Sequence, residues 1–415
     1  MHHKDIVKKI KEQTKIKGMV TPCYNGMSLL NVTPSILEHF KTPCPNQSID
    51  KQLLNPKLFS GVKHIILMII DGLGYHQVLD ATNKNKNLGL KKLIEKDTFF
   101  PLTSVAPSTT TAALTTVNTA LAPGQHAMVG YHLFLKEFGA VSNMLKFKPV
   151  HAVEDYRSLG ADPRSFFPLP TIYQRLRKKK VFPATLMPSD IADSGLSQMT
   201  NVGGEMMGYH TTANMVTEMK KHLVTHKNKK TFTYMYTPHM DTMGHLYGAK
   251  STDHDAQLAN IDFSLFHDLL NTKNMKNTML MITADHGFMQ ANPKKIINLL
   301  GHDTIIDNLV FMPTGESRFT ILHVKNGKKE IVKKYCEDHF AKKAVVLESQ
   351  QALDMGLFGP RPHPQPTKDR LGDLLLLPKE DYLISYKHDR HPLIGRHGGL
   401  SETEMLIPLI VKKFN

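Results

Sequence analysis

Residues His64–Gly74 read HIILMIIDGLG. Six consecutive apolar residues, Ile65–Ile70, end on Asp71 and a glycine-rich turn. A run without alternation is the pattern of a strand covered on both faces, as in a parallel sheet with helices on either side. Similar runs recur in FPATLMP (Phe182–Pro188), TFTYMYT (Thr231–Thr237), TMLMITA (Thr278–Ala284) and LIPLIV (Leu406–Val411). Helix-like segments such as TIYQRLRKK and ANMVTEMKKHLVTHK lie between them. Strand alternating with helix predicts an α/β fold, with a mainly parallel central sheet flanked by helices.

The rhythm breaks after about residue 290. FTILHVKNGKKEIVKKYCEDHF and KAVVLES read as strand, turn, helix and strand, followed by the proline-rich RPHPQPTKDR, LGDLLLLP and DYLISY. This predicts a small inserted α+β subdomain over 290–395. The expected layout is an N-terminal extension with polar loops over 1–60, the first part of the catalytic core over 61–289, the insertion, and a return to the core over 396–415.

At 415 residues the chain is long enough for such a core and insertion. No apolar run approaches the roughly 18 residues of a membrane span. The start, MHHKDIVKKIKEQTKIKG, is basic and polar, without the apolar segment of a secretory signal. Cys23, Cys44 and Cys336 are scattered and odd in number, which argues against a disulfide framework. The expected compartment is the cytoplasm. The formal charge is +15, which fits an anionic partner in principle. Its lysines are dispersed, and no basic stripe with interleaved aromatics appears, so a specific nucleic-acid partner is not expected.

The acids and histidines that follow the apolar runs are the candidate chemistry. In open α/β sheets ligands bind beyond the carboxyl ends of the strands. Asp71 closes the first run, and Asp285-His286-Gly287 closes TMLMITA. In PHMDTMGHLYG, Asp241 and His245 stand four apart, on one face if the segment is helical. His397 sits in the glycine-rich GRHGGLSE. Thr109, Thr110 and Thr111 precede a helix-like run of small residues, where a hydroxyl would meet an anion-binding helix N-terminus. Taken singly, each residue also has an ordinary reading as a turn, a cap or a solvent-facing side chain.

In this order the segments IIDGLGY, PSTTTAALTTVNTALAPGQHAMVGY, TPHMDTMGH, ITADHGF and RHGGLSE resemble the alkaline phosphatase superfamily, and within it the type I nucleotide pyrophosphatase/phosphodiesterase branch. The resemblance spans about 65–410. It implies an alkaline phosphatase-like fold and a threonine nucleophile sixteen residues before His126, which is Thr110. Thr109 and Thr111 are fallback assignments. Two divalent metal ions are implied: one held by Asp241, His245 and His397, the other by Asp71, Asp285 and His286 with Thr110. Zinc is the expected metal, and the ligand types also admit manganese or iron. The branch carries an asparagine twenty-one residues after the nucleophile; here Tyr131 stands there, expected either to bind substrate by one hydrogen bond or to pack its ring.

The expected function is therefore a two-metal phosphoesterase. It would hydrolyse phosphodiester or pyrophosphate bonds of a small phosphorylated, nucleotide-type substrate through a covalent phosphothreonine. The alternatives are a phosphomonoesterase or phosphoryl transferase of the same superfamily and, from charge alone, a basic protein binding nucleic acid or an acidic partner. A complete ligand set around one threonine argues against the last.

Overall fold

All seven residues of the strand His64–Ile70 are buried. The structure, a computed structural model, describes residues 2–270, 275–386 and 393–414. His64–Ile70 lies at the centre of a seven-stranded sheet. The order across it is Thr98–Thr103, Leu406–Phe414, Thr278–Thr283, His64–Ile70, Lys230–Thr237, Val181–Pro188 and Glu205–Tyr209. The central strand pairs in parallel on both sides, His64 standing level with Thr231 and Thr278. The three strands therefore run the same way and release their chains at one edge. That edge receives Asp71 from the first strand, Asp285 from Thr278–Thr283, and the helix His239–Tyr247 from Lys230–Thr237.

The fold is the expected α/β sandwich of helices about a mainly parallel sheet, with one strand reversed. Leu406–Phe414 runs antiparallel to both Thr278–Thr283 and Thr98–Thr103. A reversed strand begins where its neighbours end, so the loop before Leu406, carrying His397, lies over the same edge. Thr98–Thr103 runs with the parallel set and leads there too, into the helix Thr110–Thr119. One strand direction thus gathers segments separated by more than 300 residues of sequence.

A second seven-stranded sheet lies apart, with order Ala344–Glu348, Leu374–Pro378, Phe319–Leu322, Thr314–Glu316, His132–Leu135, Ala140–Asn143 and Lys148–Pro149. Its strand pairs are all antiparallel. Four strands come from the 290–395 stretch and three from 132–149, so this sheet is not built by that stretch alone. The three earlier strands are short, with no apolar run to mark them. A smaller core of Leu309, Leu322, Val332, Cys336, Phe340 and Leu376 lies under the helix Lys329–Phe340.

The first sixty residues are packed, not peripheral. Ile6 and Ile10, one turn apart on the helix His3–Glu12, are 1% and 0% exposed and join the main core, as do Val32, Ile36 and Leu37 of the helix Val32–His39. Lysines flank Ile6 and Ile10 in sequence and mask a narrow apolar stripe of helical period. Among the described residues no helix is long and apolar enough to cross a membrane.

Candidate metal centre

The helix Thr110–Thr119 is buried along its whole length although half of it is threonine. The hydroxyls of its threonines other than Thr110 are all engaged. Thr115 donates to the Thr111 carbonyl at 2.6 Å, Thr119 to that of Thr115 at 2.7 Å, and Thr116 meets His126 Nε2 at 3.0 Å. Thr110, at the N-terminus, points elsewhere: its Oγ1 lies 3.3 Å from His286 Nε2. Thr111 donates to the Gly130 carbonyl at 2.9 Å, and Thr109 donates to Glu316. Of the three threonines, Thr110 is the one at the acid–histidine cluster.

The cluster collects all six expected ligands. Asp241 and His245 share one face of the helix His239–Tyr247, with His245 Nε2 3.4 Å from Asp241 Oδ1. His397 Nε2 stands 3.2 Å from His245 Nε2 and 3.5 Å from Asp241 Oδ1. His286 Nε2 lies 3.4 Å from Asp71 Oδ1 and 3.3 Å from Asp285 Oδ2. The rings of His286 and His397 stack at 3.6 Å and join the two halves. Asp241, His245 and His397 form one group of ligand atoms close enough to share an ion; Asp71, Asp241 and His286 form another. Asp241 thus faces both positions, whereas the family resemblance assigned it to one. Asp285 reaches the second position through its 3.3 Å approach to His286.

The hydrogen-bond pattern tests whether these residues suit cations. Each histidine turns Nδ1 to a backbone carbonyl: Gly395 for His245 at 2.9 Å, Gly287 for His286 at 3.1 Å and Ser108 for His397 at 3.1 Å. A carbonyl only accepts, so Nδ1 carries the proton and each Nε2 presents a lone pair to the centre. Asp71 Oδ1, Asp241 Oδ1 and Asp285 Oδ2 are buried without a hydrogen-bond partner. Six acceptor atoms converge, a costly arrangement for protein alone. Two divalent cations would satisfy all six, so the donor set fits them.

The titration directions agree. Burial, then the neighbouring charges of Asp285 and Asp241, holds the Asp71 pKa well above the carboxylate range. Burial and then Asp285 and Glu316 do the same for Asp241. Burial lowers the histidines: His245 to about 4, and His397 well below its ordinary value with help from His286 and His245. The carboxylates call for positive charge and the imidazoles reject protons, and metal ions meet both demands.

Several supporting residues carry no signal in the sequence. Tyr236, inside an apolar strand, donates its hydroxyl to Asp71 Oδ2. Asp285 Oδ1 is held by the amides of Gly72 at 3.1 Å and His286 at 2.9 Å. Gly72 turns the chain at φ +75°, a conformation that favours glycine. The His397 loop is anchored by a fully buried ion pair. Arg318 Nη2 and Nε meet the two oxygens of Glu404 at 2.6 and 3.0 Å, and Glu404 also accepts the Gly399 amide at 2.9 Å. Burial alone would raise the Glu404 pKa; the Arg318 guanidinium brings it below the usual range.

A cavity of about 750 Å³ opens over the centre, lined by Thr109, Thr110, Tyr131, Asp241, His245, Glu316, Tyr386, Arg396, His397 and apolar side chains including Leu145, Ile296 and Leu383. Tyr131 is half-buried there, its hydroxyl bonded by the Asn143 side chain. Glu316, from the second sheet, has its pKa pushed up to about 8 by burial, against donation from Thr109 and the Tyr131 amide. Its Oε1 has no partner. Gly398, at φ +110°, passes so close to Glu316 Oε2 that a side chain there would collide with it.

The family described as type I phosphodiesterase / nucleotide pyrophosphatase matches residues 65–400. The chain belongs to this family. Its fold is similar to that of murine ectonucleotide pyrophosphatase / phosphodiesterase 5, at 16% identity and a TM-score of 0.64 over 84% of this chain and 88% of that one. An inactive threonine-to-alanine variant of the murine protein, in complex with AMP, superposes at 16% identity and 0.63, over 84% and 87%. Phosphonoacetate hydrolase from Sinorhizobium meliloti 1021, with phosphonoformate, matches at 18% identity and 0.63 over 85% and 90%. A comparison with curated proteins finds no match. Membership of the family supports phosphoester hydrolysis as the class of reaction.

Proposed function

We propose that the protein is a two-metal phosphoesterase acting on phosphodiester or pyrophosphate bonds, with Thr110 as nucleophile. The observation that carries this reading is the convergence of six acceptor atoms, three of them buried carboxylate oxygens without a hydrogen-bond partner, beside one threonine hydroxyl at a helix N-terminus. Asp241, His245 and His397 would hold one ion; Asp71, Asp285 and His286 the other, with Asp241 between them. Divalent cations there, zinc first among them, would lower the pKa of the attacking hydroxyl and neutralise the departing oxygen.

Thr110 Oγ1 attacks phosphorus, the bond to the alcohol or phosphate leaving group breaks, and the chain carries a phosphothreonine. Water then attacks that phosphorus, the bond to Oγ1 breaks, and the threonine is restored. The first-turn amides of Thr110–Thr119 point at the non-bridging oxygens, where the helix dipole favours negative charge. Tyr131 binds substrate from the cavity wall, and the apolar lining receives the leaving group. The inactivity of the murine threonine-to-alanine variant, and its AMP, support a threonine nucleophile and a nucleotide-type substrate here.

A second reading, a phosphomonoesterase or phosphoryl transferase, is favoured by one observation: Tyr131 stands where the diesterase branch has asparagine. The test compares a nitrophenyl phosphate monoester, its diester and a nucleotide ester under saturating zinc. The proposal expects kcat/KM to be higher for the diester or nucleotide ester. Preference for the monoester would replace it with the second reading.

A further inference from the structure

The reaction centre does not use all the metal-binding chemistry of the chain. His222 lies in the last turn of the helix Thr212–Thr225 and His226 caps its C-terminus, one turn on. Their rings approach to 4.4 Å. Glu205, exposed at the start of the edge strand Glu205–Tyr209, completes a trio whose ligand atoms all lie within 4.8 Å of one another. His226 turns Nδ1 to the His222 carbonyl at 3.0 Å, which leaves its Nε2 as the available atom. His222 is 4% exposed, and its Nε2 has no partner. A buried imidazole nitrogen without a partner is costly.

The site is remote from the reaction centre. His222 neighbours His64, which opens the central strand, whereas Asp71 closes it. Seven residues of strand separate those ends by roughly 20 Å. His64 itself is engaged, by Thr231 Oγ1 at 2.9 Å and by the Lys227 backbone.

The geometry points to a third metal site, in which Glu205, His222 and His226 bind one divalent transition ion and brace the outermost strand of the central sheet against the helix that covers it. Two imidazole nitrogens and one carboxylate oxygen suit zinc, nickel, copper or cobalt over magnesium or calcium. Histidines four apart on a helix present their nitrogens on one side. The helix C-terminus adds the negative end of its dipole, which favours a cation. The nearby Lys229 ammonium, stacked 4.1 Å over the Phe182 ring, opposes the ion and limits its affinity. The site has no part in turnover.

The test is zinc content after equilibrium dialysis, read by elemental analysis. Wild type is compared with Glu205→Gln/His226→Gln, whose side chains are exposed or half-buried, so that folding is kept. The double variant should hold about one zinc fewer per chain, with unchanged phosphoester turnover at saturating zinc. In a background lacking the reaction centre, Asp241→Asn/His286→Ala, about one zinc should remain, and adding the double variant should remove it. Thermal melts with and without zinc follow the same ion: zinc should raise the Tm of the background and not of the quadruple variant. Equal zinc content in wild type and the double variant overturns the third site and leaves the two-metal centre standing. Zinc that survives only in the remote trio overturns the two-metal centre instead.

Discussion

Tyr236→Phe is the most discriminating single change, because it removes one hydroxyl and nothing else. Tyr236 is 4% exposed, and its ring packs in the core beside the central strand. Its hydroxyl donates to Asp71 Oδ2, while Asp71 Oδ1 faces the centre unpartnered. With metal bound, Asp71 is anionic, and a hydrogen bond to a charged buried acceptor contributes about 1.5–3 kcal/mol. Without metal, burial and the charges of Asp285 and Asp241 raise the Asp71 pKa, which disfavours its anionic form, and the same bond is worth less. The loss therefore falls on the metal-bound state. At about 1.4 kcal/mol per decade it amounts to about a 10- to 100-fold weaker metal affinity. A zinc competition titration against a chromophoric chelator measures this directly. A double-mutant cycle with Asp71→Asn isolates the pair. Wild-type affinity in Tyr236→Phe, or strict additivity in the cycle, would refute the idea that Asp71 binds metal under the control of Tyr236.

Thr110→Ala should lower turnover by about 10³-fold or more, with folding and zinc content close to wild type; a near-wild-type rate sinks the nucleophile assignment. Arg318→Met leaves the Glu404 charge buried and unpaired, at a cost of about 3–5 kcal/mol, and loosens the His397 loop. A Tm drop with weakened zinc binding is expected, and an unchanged Tm counts against the anchor. Glu316 keeps its proton in the folded protein up to about pH 8, whereas an unfolded glutamate has lost it by about pH 5. The unfolded state thus binds fewer protons across that interval, and metal-free protein loses stability as pH rises through it. The lowered histidines act in the opposite sense only below about pH 6.5, and the raised Asp71 and Asp241 add a fall of the same sign, so the Glu316 part is read as the difference between wild type and variant. Denaturation of metal-free Glu316→Gln at pH 6.5 and 8.5 should show a shallower fall than wild type; an identical slope would show that Glu316 is not held neutral.

The uninterrupted apolar run at Ile65–Ile70 was enough to read a strand buried on both faces, and four similar runs were enough to read an α/β sheet. The strands Thr98–Thr103 and Glu205–Tyr209 escaped because they are edge or near-edge elements with mixed composition. Ile6 and Ile10 escaped because two residues on a helical stripe are hidden among lysines. Tyr236, Glu316, Arg318 and Glu404 had no legible role for a different reason: each acts on a partner more than 85 residues away, or across two sheets. Such pairings leave no local pattern.

What the sequence alone determined is the kind of chemistry and where along the chain it falls. Strand ends that stop on aspartate, a helical turn between Asp241 and His245, and a threonine at a helix start are local features, set by spacing and backbone propensity. Only the tertiary structure decided that they meet. The parallel register of three strands brings Asp71, Asp241 and Asp285 to one edge, and the reversal of Leu406–Phe414 returns His397 to it. The Nδ1 bonds to three carbonyls then aim three Nε2 lone pairs inward, and burial strips three carboxylate oxygens of any other partner. Whether such atoms converge depends on long-range pairing and desolvation, which exist only once the chain is folded.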